Sequence, residues 1–341
     1  MFAYVALLVA RSHVPHMPTH DLKYPSELFL RILPPQYRPV VDESAGTVFS
    51  EAGNAFYESM ENVRLLAQLP EFTVRATAKQ VMFAGEVVLV AIGKLFPRVV
   101  SLEDKRKIAE ERERRIREEG DQATVTNEDV ANAVHMLTQL CSIETGHEHT
   151  RKGVEALLIG LLLHTWTAYE AFVTDIWVAA INANPEKFVN QIANAKAAEN
   201  AEVQKEKSIP LSILTRFGFD LTNKMGAVLK RKFDFDRLRG IAHAYESTFG
   251  KDAKVLFDTS QLYSANVAAL EAIRNLFAHR SGKSDFRFRD AIEKCPGSPY
   301  HHLRHLEDDK KVEVDGIMVR EFFHSACTNA LAMLRYVKGK M

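Results

Sequence analysis

The residues of this chain best suited to chemistry lie in one segment, Glu271-Ala-Ile-Arg-Asn-Leu-Phe-Ala-His279-Arg-Ser-Gly282. Leu270, Ile273 and Phe277 recur at helical spacing as a core stripe, and Gly282 stands where a C′ glycine ends a helix. His279 therefore falls in a last helical turn, where the macrodipole favours the imidazolium and Arg280 opposes it. A histidine balanced in this way can act as general acid or base near neutral pH. Arg274 offers a fixed fork of donors that matches a charged phosphate, which Lys cannot do bidentately. At ~100° per residue, Arg274 and His279 point about 140° apart, whereas Asn275 and His279 share one ridge. One helix does not readily aim Arg274 and His279 at one small group; two copies crossing at a symmetry axis bring both pairs around one phosphate. The plain alternative is that Arg274 pairs with Glu271 or another carboxylate and His279 is an ordinary C-terminal helix histidine.

Other constellations are poorer. Cys295 with His301, His302 and His305, and the pair His147 and His149 around Glu148, match no zinc spacing, so no metal site and no cofactor is expected. Gly-rich phosphate loops, HExxH and GxSxG are absent from the sequence. Residues 224–239 carry six basic and two acidic side chains, and Arg280, Lys283, Arg287 and Arg289 follow Arg274 against Asp285 alone. Phe233, Phe235, Phe286 and Phe288 are interleaved with these cations, as a base-stacking surface requires. Core aromatics beside snorkelling basic stems give the same pattern, and that reading is preferred for Phe233 and Phe235.

The motif Arg-x4-His, with Asn directly after Arg and near the C-terminus of a bundle helix, resembles the HEPN superfamily. The resemblance covers about residues 151–341, including the helix that ends in WTAYEAFVTDIW and the stretch AALEAIRNLFAHRSGKSDF. It implies a metal-independent endoribonuclease working as a homodimer on RNA, with Arg274, Asn275 and His279 as motif residues. Arg280, Lys283 and Arg287 are the accompanying substrate-binding candidates, and Glu170 is a supporting polar one. It also implies a toxin or defence effector, with an antitoxin or regulatory protein as a further partner. The competing function is a non-catalytic HEPN-like module that dimerises or binds nucleotides.

The elements that must position these residues are mostly helical. Six of the twelve prolines fall in residues 11–48, so residues 1–48 read as an irregular Pro-rich arm. Residues 49–150 read as a helical region of unknown role. Ser50 caps one helix that Pro70 ends, and others are expected over 71–96, 101–119 and 126–140. Residues 101–119 carry seven basic and seven acidic side chains, a solvated helix surface. The charged junction ETGHEHTRKG places a boundary near residue 150, before a HEPN-like bundle over 151–341.

In that bundle Leu162, Trp166, Tyr169, Val173, Ile176 and Ala180 make one apolar stripe, and Asn184-Pro185 stops one helix and starts the next. Further helices are expected over 185–200, 220–232, 234–249, 259–281 and 320–337. Val312–Val319 reads as a short β-hairpin around Asp315-Gly316. The fold class is therefore all-α with one hairpin.

Composition bounds the rest. With 341 residues, 44 basic and 44 acidic side chains and 46% hydrophobic residues, the chain is ordinary globular material of about two domains. Zero formal net charge excludes bulk electrostatic coating of nucleic acid, so RNA binding must be local. Three scattered cysteines fit a reducing compartment. The most apolar uncharged run, residues 156–169, is 14 residues against the ~20 that a membrane span needs. MFAYVALLVA lacks a basic n-region, so the expectation is a cytoplasmic protein with no membrane partner.

Overall fold

The computed structural model describes residues 35–68, 148–199, 215, 218 and 220–341. The helices expected over 71–96, 101–119 and 126–140 lie outside these residues. What is described is all-α, with one isolated antiparallel bridge between Lys283 and Lys311. The central element is α3, Glu148–Ala183, whose 36 residues give a length of about 54 Å. It begins inside the charged junction. The six stripe residues of α3 are all buried, with Trp166, Tyr169, Val173, Ile176 and Ala180 fully so. By length and hydropathy α3 could cross a membrane, but half of its most apolar window is buried inside the bundle.

Pro185 opens α4, Pro185–Glu199, as its fixed φ predicts. Then follow α5, Met225–Lys230, α6, Leu238–Phe249, and a 3-10 turn, Lys251–Phe257. Next come α7, Leu262–Arg280, α8, Phe286–Glu293, a 3-10 turn, Pro299–His305, and α9, Gly316–Lys340. Helix α9 packs along both α3 and α7, while α4 and α5 also pack on α3. Helix α5 approaches α3 so closely that a Cβ at Gly226 would lie 2.4 Å from the Val178 carbonyl oxygen. Its backbone N–H donates to Asn182 Oδ1 at 2.7 Å across the same gap. Trp177 Nε1–H donates to Thr248 Oγ1 at 2.9 Å and the Tyr245 hydroxyl to the Val173 carbonyl at 2.6 Å, so α6 is keyed to α3 by buried polar groups.

Three expectations need correction. First, residues 35–48 are not an irregular arm. They carry α1, Arg38–Ser44, with Pro39 in the first turn, where a missing N–H loses no helical bond. Tyr37 and Val40 are buried, and the Tyr37 ring stands edge-on to Tyr57 at 5.4 Å and to Phe323 of α9 at 6.2 Å. Helix α2, residues 50–68, sets Phe56 at 4.6 Å from Phe172 of α3. The described residues before 69 thus share one hydrophobic core with the chain after 152. Ser50 is inside α2 and donates to the carbonyls of Ser44 and Thr47, while Thr47 Oγ1 accepts the Phe49 N–H.

Second, there is no hairpin over 312–319. Asp315 is the N-cap of α9, its carboxylate accepting the Met318 N–H at 2.8 Å. An Asp-Gly pair serves a tight turn or a helix start equally well, and here Met318, Val319, Phe322 and Phe323 supply a buried helical face. The extended half, with Val312 and Val314 buried, pairs instead with the residues after α7. Val312 N–H donates to the Gly282 carbonyl at 2.9 Å and Ser284 N–H to the Lys310 carbonyl at 2.8 Å. Third, α5 and α6 are shorter than expected. Asp220 accepts the Thr222 N–H, and residues 231–237 turn so that Phe235 can bury against Trp177 at 5.1 Å.

Candidate functional site

Helix α7 carries all three motif residues. Its inner face is Leu270, Ile273 and Leu276, buried against the core, with Phe277 packed at the edge. Arg274 and Asn275 sit at the flank, half-buried, and Arg274 Nη1–H donates to Asn275 Oδ1 at 2.8 Å. His279 lies in the last turn and is exposed. The structure therefore joins Arg274 to Asn275 and leaves His279 apart, as the helical angle requires. Asn275 orients the guanidinium rather than the imidazole.

The helix ends at Arg280 with Ser281 as its C-cap, so Gly282 stands at C′ as expected. Ser281 (φ 52°) and Gly282 (φ 82°) are both left-handed, and the Gly282 N–H returns to the Leu276 carbonyl at 3.3 Å. A Cβ at Gly282 would also stand 2.4 Å from Phe277 Cε1, so glycine is required there on two counts.

Two carboxyl groups face this flank. Glu170, on α3, is half-buried and accepts the Trp166 indole N–H at 2.8 Å. Burial raises its pKa above the usual carboxylate range; the Trp166 bond and the Arg274 charge oppose that rise. Glu271 is raised in the same direction by burial, opposed by the Leu238 N–H and by Arg237 and Arg274. The Glu271 carboxylate accepts the Leu238 N–H at 3.2 Å, so α7 supplies the cap for the first turn of α6. Among the described residues Arg274 makes no ion pair within 4.0 Å, and the simple Arg274–Glu271 pair is not formed. Lys230, Asp234, Asp236 and Arg237 of the 230–237 turn also contribute to the field at these two carboxyl groups. The arrangement is a half-buried guanidinium, steadied by an amide and by nearby carboxyls, with hydrogen-bond donors beyond the Asn275 bond that meet no carboxylate among the described residues.

The sign of the Glu271 shift gives a test. Its pKa is higher folded than unfolded, so stability from this carboxyl is fully present below the usual carboxylate range. That stability is lost as pH rises through the range. Glu271→Gln keeps an acceptor for Leu238 and removes the buried charge. In thermal melts the variant is expected to gain on the wild type as pH rises from below the usual carboxylate range; a pH-independent difference would contradict the burial account.

The remaining candidates separate by partner. Arg280 lies 3.8 Å from Asp285 and 3.3 Å from Asp309, so it fastens the turn after α7. Arg289 pairs with Asp308 and donates to the Leu306 carbonyl at 3.2 Å. Lys283 and Arg287 are exposed and make no ion pair among the described residues. Phe235 and Phe288 are buried, and Phe233 packs edge-on to Trp177 at 5.5 Å, so these three are core aromatics. Phe286 is not: it is 67% exposed.

The Cys295 thiol is buried, donates to the Ala291 carbonyl, and has its pKa pushed up to about 11 by burial. Among the described residues no group of three or more His, Cys, Asp or Glu is placed to hold a metal ion. The capping role of Glu271 had no local signal in the sequence. Of the stacking candidates Phe286 and Phe288, only Phe286 is exposed, because the i,i+4 spacing of Phe288 and Ile292 puts Phe286 on the opposite face. No family model, curated protein or solved structure matches the chain.

Proposed function

We propose that this protein is a metal-independent endoribonuclease of HEPN type. The observation that carries the reading lies on α7: an exposed His279, and a half-buried Arg274 held by Asn275 with no carboxylate bound to it among the described residues. In the proposed step neutral His279 takes the proton of a ribose 2′-OH as the 2′ oxygen attacks the adjacent phosphorus. The P–O5′ bond breaks, the leaving 5′ oxygen takes a proton from water, and His279 returns its own proton to solvent. The products are a 2′,3′-cyclic phosphate and a 5′-OH end. Arg274 donates to the non-bridging oxygens, whose charge grows in the phosphorane. Because Arg274 and His279 diverge by about 140° on one helix, two copies are proposed to place their α7 ends around one phosphate. The assignment as a toxin or defence effector, with an antitoxin or regulator, rests on the resemblance to the superfamily.

A second reading has its own support. His279 makes no hydrogen bond to Asn275 or Arg274, so nothing on α7 fixes its tautomer, which suits a bundle that dimerises or binds nucleotides without cutting.

Incubation with end-labelled single-stranded RNA in EDTA separates the two. Cleavage is expected to persist in EDTA, to leave 2′,3′-cyclic phosphate ends, and to spare DNA of the same sequence, which lacks the 2′-OH. Loss of cleavage in EDTA, or equal cleavage of DNA, would overturn the mechanism.

A further inference from the structure

We infer that Phe286, with the Arg287 guanidinium beside it, is a stacking platform for an unpaired base of the RNA next to the scissile phosphate. The inference rests on the ribonuclease reading above and names a binding site within it. Helix α8 buries Phe288 and Ile292, so its fold is served by the opposite face from Phe286. A phenyl ring left 67% exposed forgoes burial free energy that the helix does not need to forgo. The backbone that carries the ring is anchored. Asp285 caps α8 by accepting the Phe288 N–H at 2.8 Å, and Arg280, next to His279, lies 3.8 Å from that same Asp285. The Val312–Gly282 bond ties the intervening turn to the entry of α9.

Charge complementarity selects the occupant. The Arg287 guanidinium carbon lies 5.7 Å from the Phe286 ring centre, close enough for a cation–π contact. Among the described residues Lys283 and Arg287 make no ion pair, whereas Arg280 and Arg289 are paired with Asp285, Asp309 and Asp308. A flat π surface with the Arg287 guanidinium beside it, and Lys283 three residues back in the chain, fits a ligand that joins a flat ring to a negative charge. A nucleotide does so, and its base must be unpaired to offer a face. The site therefore predicts single-stranded RNA, or a loop, over a continuous duplex.

The test uses a fully 2′-O-methylated single-stranded RNA carrying 2-aminopurine, which cannot undergo the proposed 2′-OH attack. The full chain is expected to bind it and quench the 2-aminopurine emission. Phe286→Ala is expected to lose the quench and weaken binding by roughly 5- to 150-fold. Phe286→Trp is expected to retain both, and the melting temperature of either variant to stay near wild type because the side chain is exposed. Binding and quenching unchanged in Phe286→Ala would overturn the platform while leaving the ribonuclease reading intact. No binding by the wild type, with no cleavage of unmodified RNA, would overturn both. Conversion of a dimer to a monomer by Phe286→Ala in sedimentation would assign the ring to a contact between copies and overturn the platform.

Discussion

His279→Ala is expected to reduce RNA cleavage by roughly 10²- to 10⁴-fold, the range supplied by a positioned general base. The imidazole is exposed in the final turn of α7, so its removal creates no cavity and the melting temperature should hardly change. Arg274→Lys is the companion variant. It keeps the positive charge but loses the planar fork, and it gives up the geometry of the Nη1–H bond to Asn275 at 2.8 Å. Its expected loss falls mainly on kcat, because charge on the phosphorane oxygens grows in the transition state. Single-turnover cleavage of labelled RNA, set beside thermal melts of the same variants, checks both. Full activity in His279→Ala would remove this histidine from the mechanism, whatever cleaves the RNA.

The second large effect is on stability. Asn329 of α9 is buried and sits where three helices meet. Its Oδ1 accepts the Tyr169 hydroxyl of α3 at 2.7 Å. Its Nδ2 donates to the Leu256 carbonyl at 3.1 Å and to Ser264 Oγ of α7 at 3.3 Å. Asn329→Leu fills similar volume yet strips these partners. The Tyr169 hydroxyl would retain only Met333 Sδ at 3.2 Å, a weak acceptor. Leaving buried polar groups unsatisfied costs about 1–3 kcal/mol each, so a loss of about 2–4 kcal/mol is expected in urea denaturation. Tyr169→Phe in the same background removes the orphaned hydroxyl and is expected to recover part of that loss, a coupling that a double-mutant cycle reads directly. Additive effects of the two substitutions would show that the bond contributes little. Because α7 is one of the three helices joined there, Asn329→Leu should lower activity only at temperatures where the fold itself begins to open.

These two sites were unequally visible in the sequence. The Arg274–Asn275–His279 spacing and the core stripe beneath it are local patterns. Helical geometry converts them into directions without knowledge of any other element, and the separation of Arg274 from His279 came out as the angle predicts. The Asn329 network joins side chains 65 and 160 residues distant in the chain, and no window of sequence contains it. Glu271 behaves likewise. On its own helix it is a natural partner for Arg274, three residues on, yet its carboxylate turns to the start of α6. An uncapped N–H on a neighbouring helix competes for it, and the sequence carries no sign of which helices are neighbours.

What the sequence determined by itself was therefore what i,i+4 periodicity and local stop signals can determine. That includes the all-α class, the buried stripe of α3, the break at Asn184-Pro185, and the core role of Phe233 and Phe235. Only the tertiary structure decided that Asp315-Gly316 starts a helix instead of turning a hairpin, and that residues 35–68 join the main core. It alone decided which cations are neutralised by carboxylates across the turn and which, Lys283 and Arg287, make no ion pair among the described residues. The physical reason is common to these cases. Each outcome is a competition between partners brought together by chain folding, and the free energy of a cap, an ion pair or a buried ring is settled by the partner that packing places within reach.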